Sequence, residues 1–250
     1  MENMIEFKNL TKNYAKGKAN AVDKLNMEVR RGEVFGFIGP NGAGKTTTIK
    51  MLMGILKPTE GDILIDGTSI ITDPIAAKAK IGYVPDGHDL YERLTGIEYL
   101  NFLADIYHVS QDERKAHIEK YLKYFELEEA ANSQIRSYSR GMKQKITVIG
   151  SLLHQPQLWV LDEPMVGLDP RASHLLKEEI HAHCQKGNTV FFSTHVLDVA
   201  EKMCDRIGII NKGKLIAEGT LDELRSGEKG ASLEQLFLEL TDDEGVETHA

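Results

Sequence analysis

Two segments of this sequence have the residue types and spacing needed for phosphate chemistry. The glycine-rich segment Gly39-Pro40-Asn41-Gly42-Ala43-Gly44-Lys45-Thr46 follows the apolar run 34–38, and Asp162-Glu163 follows the apolar run 158–161. A glycine-rich loop between a strand and a helix binds phosphate through backbone N–H groups and the positive end of the helix dipole. Acids that end a buried strand need a cation or hydrogen bonds. Together the two segments predict a site for a nucleoside triphosphate and Mg²⁺.

Individual side chains in these segments have predicted roles. We expect Lys45 to reach the β- and γ-phosphates and Thr46 to hold Mg²⁺. We expect Asp162 to bind Mg²⁺ directly or through water, and Glu163 to orient and deprotonate the attacking water. His195 ends the apolar run 189–194 and could reach a γ-phosphate. Taken alone, His195 would be assigned as a structural or surface histidine, and Asp162-Glu163 would fit a helix cap or turn equally well.

The elements that must position these residues alternate along the chain. Apolar runs at 34–38, 158–161, 189–192 and 207–210 predict buried strands, and helical spacing predicts helices at 47–56, 97–107, 118–125 and 175–180. Strands that alternate with helices indicate a parallel sheet in an α/β fold. Asn211-Lys212-Gly213 predicts a hairpin turn. Leu233, Leu236, Phe237 and Leu240 predict a short amphipathic helix, and residues 241–250 predict a disordered acidic tail.

Composition limits the classes of function. The net charge of −8 over 250 residues disfavours non-specific nucleic-acid binding, which needs a basic surface. No run of eighteen apolar residues is present, so we expect no membrane span, and the first residues lack the pattern of a secretory signal. Cys184 and Cys204 have no metal-ligand spacing and predict two reduced cysteines.

A family resemblance follows from the order of five motifs. They are the phosphate loop, Tyr138-Ser139-Arg140-Gly141-Met142, Asp162-Glu163, Gly167-Leu168-Asp169-Pro170 and Ser193-Thr194-His195. In this order and at these spacings they resemble the ATP-binding subunit of an ABC transporter over nearly the whole chain. The segments Tyr-Ser-x-Gly-Met-Lys-Gln, 94–100 and 237–240 resemble bacterial exporters of the drug, antibiotic-resistance and sodium-extrusion kind.

The resemblance implies a fold and a division of the chain. The fold would be that of a P-loop NTPase of the ABC-ATPase type, with a RecA-like core, an antiparallel β subdomain and a helical subdomain. Residues 1–225 would form the nucleotide-binding domain, with the helical subdomain inserted at about 86–155. Residues 226–250 would carry the amphipathic helix and the acidic tail.

The resemblance also assigns further residues. Tyr14 lies where an aromatic ring stacks on adenine, and Thr47 completes the phosphate loop. Ser139 and Gly141 match residues that contact the γ-phosphate bound by a partner subunit, and Asp169 matches a loop that crosses the dimer interface. The implied ligands are ATP and Mg²⁺. The implied partners are a separate membrane-spanning permease and a second ATP-binding subunit, either identical or a paralogue, with no nucleic acid.

Two positions depart from the family pattern. The loop that joins the core to the helical insertion usually carries Gln, whereas this chain has Asp86. Near a γ-phosphate, a carboxylate at 4 Å would meet repulsion of roughly 4 kcal/mol at an effective dielectric constant near 20. Asp86 must therefore lie beside Mg²⁺, reach it through water or stay withdrawn, and because Asp is one methylene shorter than Gln we expect contact through water. Arg140 stands where many members have Gly, so we expect that this position needs no left-handed backbone and that the arginine is solvated.

These observations predict an ATPase that powers an exporter from the cytoplasmic face of the membrane. The alternatives are an import ATPase, a soluble ATPase acting on ribosomes or DNA, and a regulatory or immunity subunit that uses ATP as a switch. Intact Lys45, Asp162, Glu163 and His195 favour hydrolysis over the switch. A P-loop kinase or GTPase is disfavoured, because Asn211-Lys212-Gly213-Lys214 lacks the Asp needed to select guanine.

Overall fold

The computed structural model describes residues 2–15, 19–87, 90–225 and 233–242. These residues fall into two compact units. The first comprises Met1–Lys78 and Phe191–Ala250, and the second comprises Ala79–Val190. The predicted tail at 243–250 lies outside the described residues.

An antiparallel sheet lies in the first unit. Its strands are β1 (Asn3–Lys12), β2 (Val22–Arg30), β4 (Glu60–Ile65) and β5 (Thr68–Ser69), in the order β2-β1-β4-β5. Phe7 of β1 pairs with Met27 of β2 and with Ile63 of β4, and all three side chains are buried. Alternation of buried and exposed residues in β2 gives this sheet one covered face.

A second set of strands in the first unit positions the phosphate loop. It contains β3 (Val34–Ile38), β9 (Arg206–Asn211), β10 (Lys214–Gly219) and the end of β8 (Thr189–Thr194), in the order β10-β9-β3-β8. β3 and β9 are parallel and buried along their length, as their continuous apolar runs predict. β9 and β10 form the predicted hairpin, in which Lys212 and Gly213 both have positive φ.

The helices of the first unit are α1 (Lys45–Leu52), α2 (Pro74–Ala79, which ends one residue beyond the unit), α7 (Leu197–Met203), α8 (Leu221–Leu224) and α9 (Leu233–Asp242). α1 begins and ends earlier than the predicted helix at 47–56. α9 confirms the predicted amphipathic helix, and Leu233 packs in a core cluster with Ile209. The predicted tail start at Thr241 is wrong by two residues, because no Gly or Pro interrupts the helix before Asp242.

Among the described residues, the second unit holds the four longest helices. Strands β6 (Ile81–Val84) and β7 (Leu158–Asp162) are parallel, with Ile81 opposite Leu158. The helices are α3 (Gly96–Ile106), α4 (Gln111–Tyr124), α5 (Arg140–Leu152) and α6 (Pro170–Gln185), with a 3₁₀ turn at Ile135–Ser137. Each of the four begins after a side-chain cap, from Thr95, Ser110, Ser139 and Asp169. The first three helices lie within the predicted insertion at 86–155, whose boundaries stay a prediction.

Candidate nucleotide site

The glycine-rich loop joins the buried strand β3 to helix α1 in the first unit. Gly44 is the N-cap of α1 and has φ of 113°. A Cβ at Gly44 would lie 2.5 Å from the carbonyl oxygen of Ala21, so only glycine fits this close approach of two backbones. The loop therefore turns tightly into the helix, and the N–H groups of the first turn of α1 point out of its N-terminus.

Lys45 lies over this loop rather than in solvent. Its side chain is buried, and Nζ donates hydrogen bonds to the carbonyl oxygens of Gly39 at 2.6 Å and Pro40 at 3.2 Å. The neighbouring Asn41, Gly42 and Thr46 are exposed. The loop thus presents a held ammonium group and an exposed hydroxyl group, which is the chemistry that binds phosphate and a hard cation.

Tyr14 follows the end of β1 and reaches the phosphate loop within the same unit. Its hydroxyl lies 3.3 Å from Thr47 Oγ1, and Lys12 Nζ lies 5.6 Å from the ring centroid. The side chain is 64% exposed. An exposed ring held at its hydroxyl end leaves apolar surface available for stacking.

The β9–β10 turn touches the same loop. Gly213 N donates to Ala43 O at 2.8 Å, and Gly213 O accepts from Asp23 N at 2.8 Å. One peptide segment therefore ties the phosphate loop to the start of β2. His195, the remaining predicted residue of the first unit, is exposed directly after β8.

The predicted acids lie at the end of β7 in the second unit. Asp162 is the last residue of this strand and is 2% exposed. Glu163 follows with φ of 50°, a conformation that costs a non-glycine residue about 1–2 kcal/mol. The strand end therefore holds a buried carboxylate, followed by a half-buried glutamate on a left-handed backbone.

Tyr83 is affected by the carboxylates of both Asp162 and Asp86. Asp86 is the residue that departs from the family pattern and was predicted to bind the metal. Burial raises the pKa of the Tyr83 hydroxyl well above its usual value, and the carboxylates of Asp162 and Asp86 raise it further. Both acids thus act on one tyrosine inside the second unit. Asp86 is itself exposed and lines a cavity of about 370 Å³ with Tyr138, Arg140 and Lys143.

The short turn before α5 is a helix N-terminus with its cap in place. Ser139 Oγ accepts a hydrogen bond from Met142 N at 3.2 Å, and Arg140 and Gly141 form the first turn. Ser139 is exposed and Gly141 is half-buried. A capped helix N-terminus with exposed small residues suits an anion supplied by another molecule.

Arg140 has no left-handed backbone, as predicted, and its side chain is exposed. Its stem nevertheless packs on Gly167, where an added Cβ would lie 2.9 Å from Arg140 Nε. Nearby, buried Gln144 donates from Nε2 to Pro164 O at 3.1 Å. Two contacts therefore join the α5 turn to the segment that follows Glu163.

Asp169 has a local role that the sequence did not assign to it. Its Oδ1 accepts from Ala172 N at 2.8 Å, which caps helix α6. The hydrogen bond from Ala172 lowers the pKa of this carboxyl below its ordinary value. The side chain is exposed and negatively charged at neutral pH.

Three residues that hold the segments of the site were not identified from the sequence: Asn13, Gln144 and Gly213. Gln144 was visible only as part of a family pattern, and Gly213 only as a turn. For Asn13, the one indication of a role in the sequence was its position next to Tyr14. Apart from the hydrogen bond that Asn13 accepts from Ala15 N, their contacts reach residues farther away in the chain, so local patterning does not reveal them.

Membrane spans, metal-binding groups and cysteines in the described residues bear on other classes of function. No helix there is long and apolar enough to cross a membrane. Within 2–15, 19–87, 90–225 and 233–242, no group of three or more His, Cys, Asp or Glu side chains could hold a metal ion. Cys184 and Cys204 form no disulfide bond within the described part of the chain.

Comparison with known proteins gives consistent matches. The family model described as ABC transporter matches residues 22–166. The linearmycin resistance ATP-binding protein LnrL of Bacillus subtilis is 38% identical over 233 residues, which cover 93% of this chain and 74% of that protein. The Nod factor export ATP-binding protein I of Cupriavidus metallidurans is 35% identical over 237 residues, which cover 95% and 78%.

Solved structures agree with these matches. The structure of an ATP binding subunit of an ABC transporter has a TM-score of 0.91 and 38% identity, over 95% of this chain and 99% of that one. The dimeric post-hydrolysis structure of the ATP-binding cassette MJ0796 with ADP and Pi has a TM-score of 0.79 and 29% identity. It covers 87% of this chain and 99% of that one.

Proposed function

Because the chain belongs to the ABC transporter family, we propose that it powers export by a separate membrane-spanning subunit. The chain is an ATP-binding and ATP-hydrolysing subunit of the ABC type. The observation that carries this function is the phosphate loop. There Lys45, the first residue of α1, is held by the carbonyl oxygens of Gly39 and Pro40.

In the proposed site the phosphates of ATP lie on the loop 39–47 and the adenine stacks on Tyr14. Mg²⁺ fits the donors present, since it takes few protein ligands and prefers hard oxygen atoms. The Thr46 hydroxyl and the Asp162 carboxylate supply such atoms, and Asp86 is the proposed water-mediated ligand. When bound, the ion would neutralise charge on the phosphates.

Three residues are proposed to act on the reacting atoms. Glu163, which follows β7 directly with φ of 50°, accepts a proton from the attacking water. His195, exposed at the end of β8, donates a hydrogen bond to the γ-phosphate. Lys45 stabilises the charge that develops on the transferred phosphoryl group.

We propose that two ATP-binding subunits share each ATP. The capped N-terminus of α5, with Ser139 and Gly141, would face the γ-phosphate held by the loop of the partner subunit. Asp169 would lie at the same interface. A helix N-terminus binds anions without a cationic side chain, which suits a contact that must release after hydrolysis. The partner is either identical or a paralogue, and no nucleic acid takes part.

The membrane subunit is proposed to dock beside the segment 86–99, which places this chain at the cytoplasmic face of the membrane. An apolar surface supports this position. Tyr91 is 59% exposed, Phe102 38% and Ile106 53%, and the rings of Tyr91 and Phe102 pack edge to face at 5.2 Å. Adjacent exposed apolar side chains of this size mark protein contact surfaces.

Steady-state ATPase measurements test the catalytic part of the proposal. Glu163→Gln should lower turnover by on the order of 10²–10⁴, the usual contribution of a general base, and should trap an ATP-bound dimer. Glu129→Gln, at an exposed position of the same unit, is the matched control and should retain activity. Near-normal turnover of Glu163→Gln would remove Glu163 from the role of base.

The export part needs the membrane subunit. We expect a membrane-spanning protein to co-purify with this chain and to stimulate its ATPase activity. Tyr91→Ser with Phe102→Ser should reduce co-purification while leaving basal ATPase activity unchanged. Uptake rather than efflux in vesicles that contain the pair would favour the alternative, an import ATPase. A chain that binds ATP without turnover in all conditions would favour the regulatory or immunity subunit.

A further inference from the structure

Tyr14 lies just beyond the last paired residue of β1, so no sheet hydrogen bonds define its backbone. The neighbouring Asn13 supplies others. Asn13 Oδ1 accepts from Ala15 N at 2.9 Å, which closes an Asx turn around the peptide groups on both sides of Tyr14. This turn fixes the direction in which the exposed ring leaves the chain.

The Asx turn is itself held from two sides. Asn13 Nδ2 donates to Asn20 Oδ1 at 2.9 Å, and Asn20 Nδ2 donates to Asp23 Oδ1 at 2.8 Å. On the other side, Asn13 N donates to Thr59 Oγ1 at 3.0 Å. Both amide groups are half-buried, so their hydrogen bonds compete less with water than exposed ones do. We call the chain of hydrogen bonds through Asn13, Asn20 and Asp23 the asparagine clasp.

The clasp adjoins space for a base. A cleft of about 560 Å³ is lined by Asn13, Tyr14, Asn20 and Asp23, among others. The Tyr14 ring is mostly exposed and has one hydroxyl contact, to Thr47, within the part of the chain that the structure describes. Because most of the ring surface is exposed, its position depends on the backbone that carries it.

We propose that Asn13 is a positioning residue that sets the affinity for the adenine base by holding Tyr14 in its stacking position. The inference rests on the proposed function, in which Tyr14 stacks on adenine. The clasp fixes the ring before the nucleotide binds, so binding does not bear the entropic cost of ordering it. Without the clasp, ATP binding must itself order Tyr14. This weakens the affinity for ATP about three- to tenfold.

The experiment compares two probes on the full chain, ATP and inorganic tripolyphosphate, which has the phosphates without a base. Asn13→Ala should raise the Kd for ATP about three- to tenfold and leave the Kd for tripolyphosphate unchanged. Asn13→Asp keeps the acceptor for Ala15 N but loses the donor to Asn20, so it should recover only part of the affinity. Asn26→Ala is the matched control, since Asn26 forms a similar amide pair with Asn9 and should change neither Kd.

Variants of Tyr14 distinguish adenine stacking on Tyr14 from the positioning of Tyr14 by Asn13. Tyr14→Ala should weaken ATP binding but not tripolyphosphate binding, and adding Asn13→Ala to it should have no further effect. If Tyr14→Ala weakens ATP binding and Asn13→Ala does not, this inference fails while adenine stacking stands. If Tyr14→Ala leaves ATP binding unchanged, both fail.

Two further results decide the role of the clasp. Equal weakening of both probes by Asn13→Ala would overturn the inference, because it would show a structural effect on the phosphate loop. If Asn13→Ala does not fold, Asn20→Ala removes the partner amide alone and should still raise the Kd for ATP selectively. An unchanged Kd for ATP in folded Asn20→Ala would then overturn the inference.

Discussion

Replacing Gly213 with Ala should reveal whether the β9–β10 turn supports the phosphate loop. Gly213 has φ of 82°, and an added Cβ would lie 3.0 Å from the carbonyl oxygens of Ala21 and Asn20. Its own N–H and carbonyl groups bond to Ala43 and Asp23. The substitution therefore adds backbone strain and crowding at the point where the turn meets the loop.

The two contributions have separate magnitudes. A left-handed backbone costs an L-residue such as Ala about 1–2 kcal/mol relative to Gly. A Cβ contact at 3.0 Å requires backbone atoms to give way, at the low end of overpacking costs, about 1 kcal/mol. We expect a loss of about 2–3 kcal/mol in the free energy of unfolding, which lowers Tm by roughly 4–12 °C in a chain of this size.

Gly32→Ala supplies a matched control for the strain. Gly32 has φ of 84° in the same unit, and an added Cβ would meet nothing within 4 Å. It should therefore lose only the strain contribution of about 1–2 kcal/mol. The difference between the two variants isolates the crowding beside Ala21.

Thermal unfolding followed by circular dichroism gives Tm, and equilibrium titration gives the Kd for ATP. Gly213→Ala should have a Tm about 2–4 °C below that of Gly32→Ala, since each kcal/mol is worth that much in a domain of this size. It should also bind ATP about fivefold to twelvefold more weakly, if half of the roughly 2–3 kcal/mol of added strain reaches the loop. Equal Tm values and equal ATP affinities in the two variants would refute the argument that the turn supports the loop.

Three further predictions concern the second unit. Gln144→Leu leaves Pro164 O without its buried donor and should cost about 1–3 kcal/mol in urea unfolding, with ATPase turnover reduced more than KM; unchanged stability would contradict this. Tyr121→Phe removes the hydroxyl donor of buried Glu179 and should cost a similar amount, part of which Glu179→Leu restores in the double variant. Burial lowers the pKa of His154 to about 4, so the folded protein binds fewer protons than the unfolded chain between pH 6.5 and 4. The contribution of His154 to stability should therefore fall by about 2 kcal/mol from pH 7 to pH 5, and His154→Phe should reduce the pH dependence of urea unfolding by that amount.

The sequence alone revealed the parts of the site that depend on neighbours in the chain. The loop 39–46, the apolar strand before it and Asp162-Glu163 at the end of β7 were predicted correctly as elements. Their residue types act locally: glycine permits the turn, continuous apolar residues form a buried strand, and Ser139 caps the helix that follows it.

The tertiary structure decided how these parts are held. The bonds of Gly213 to Ala43 and Asp23, the clasp at Asn13 and the contact of Gln144 with Pro164 join residues that are distant in sequence or lie across a turn. The bounds of α1 and α9 also differed from the periodic pattern, because a helix ends where its caps and packing end. Such contacts form only when distant segments meet, and which amide or carbonyl group meets which depends on the register and packing of the whole unit. The local sequence determines which chemical groups each segment carries, whereas the tertiary fold determines which hydrogen-bond partner each of these groups has.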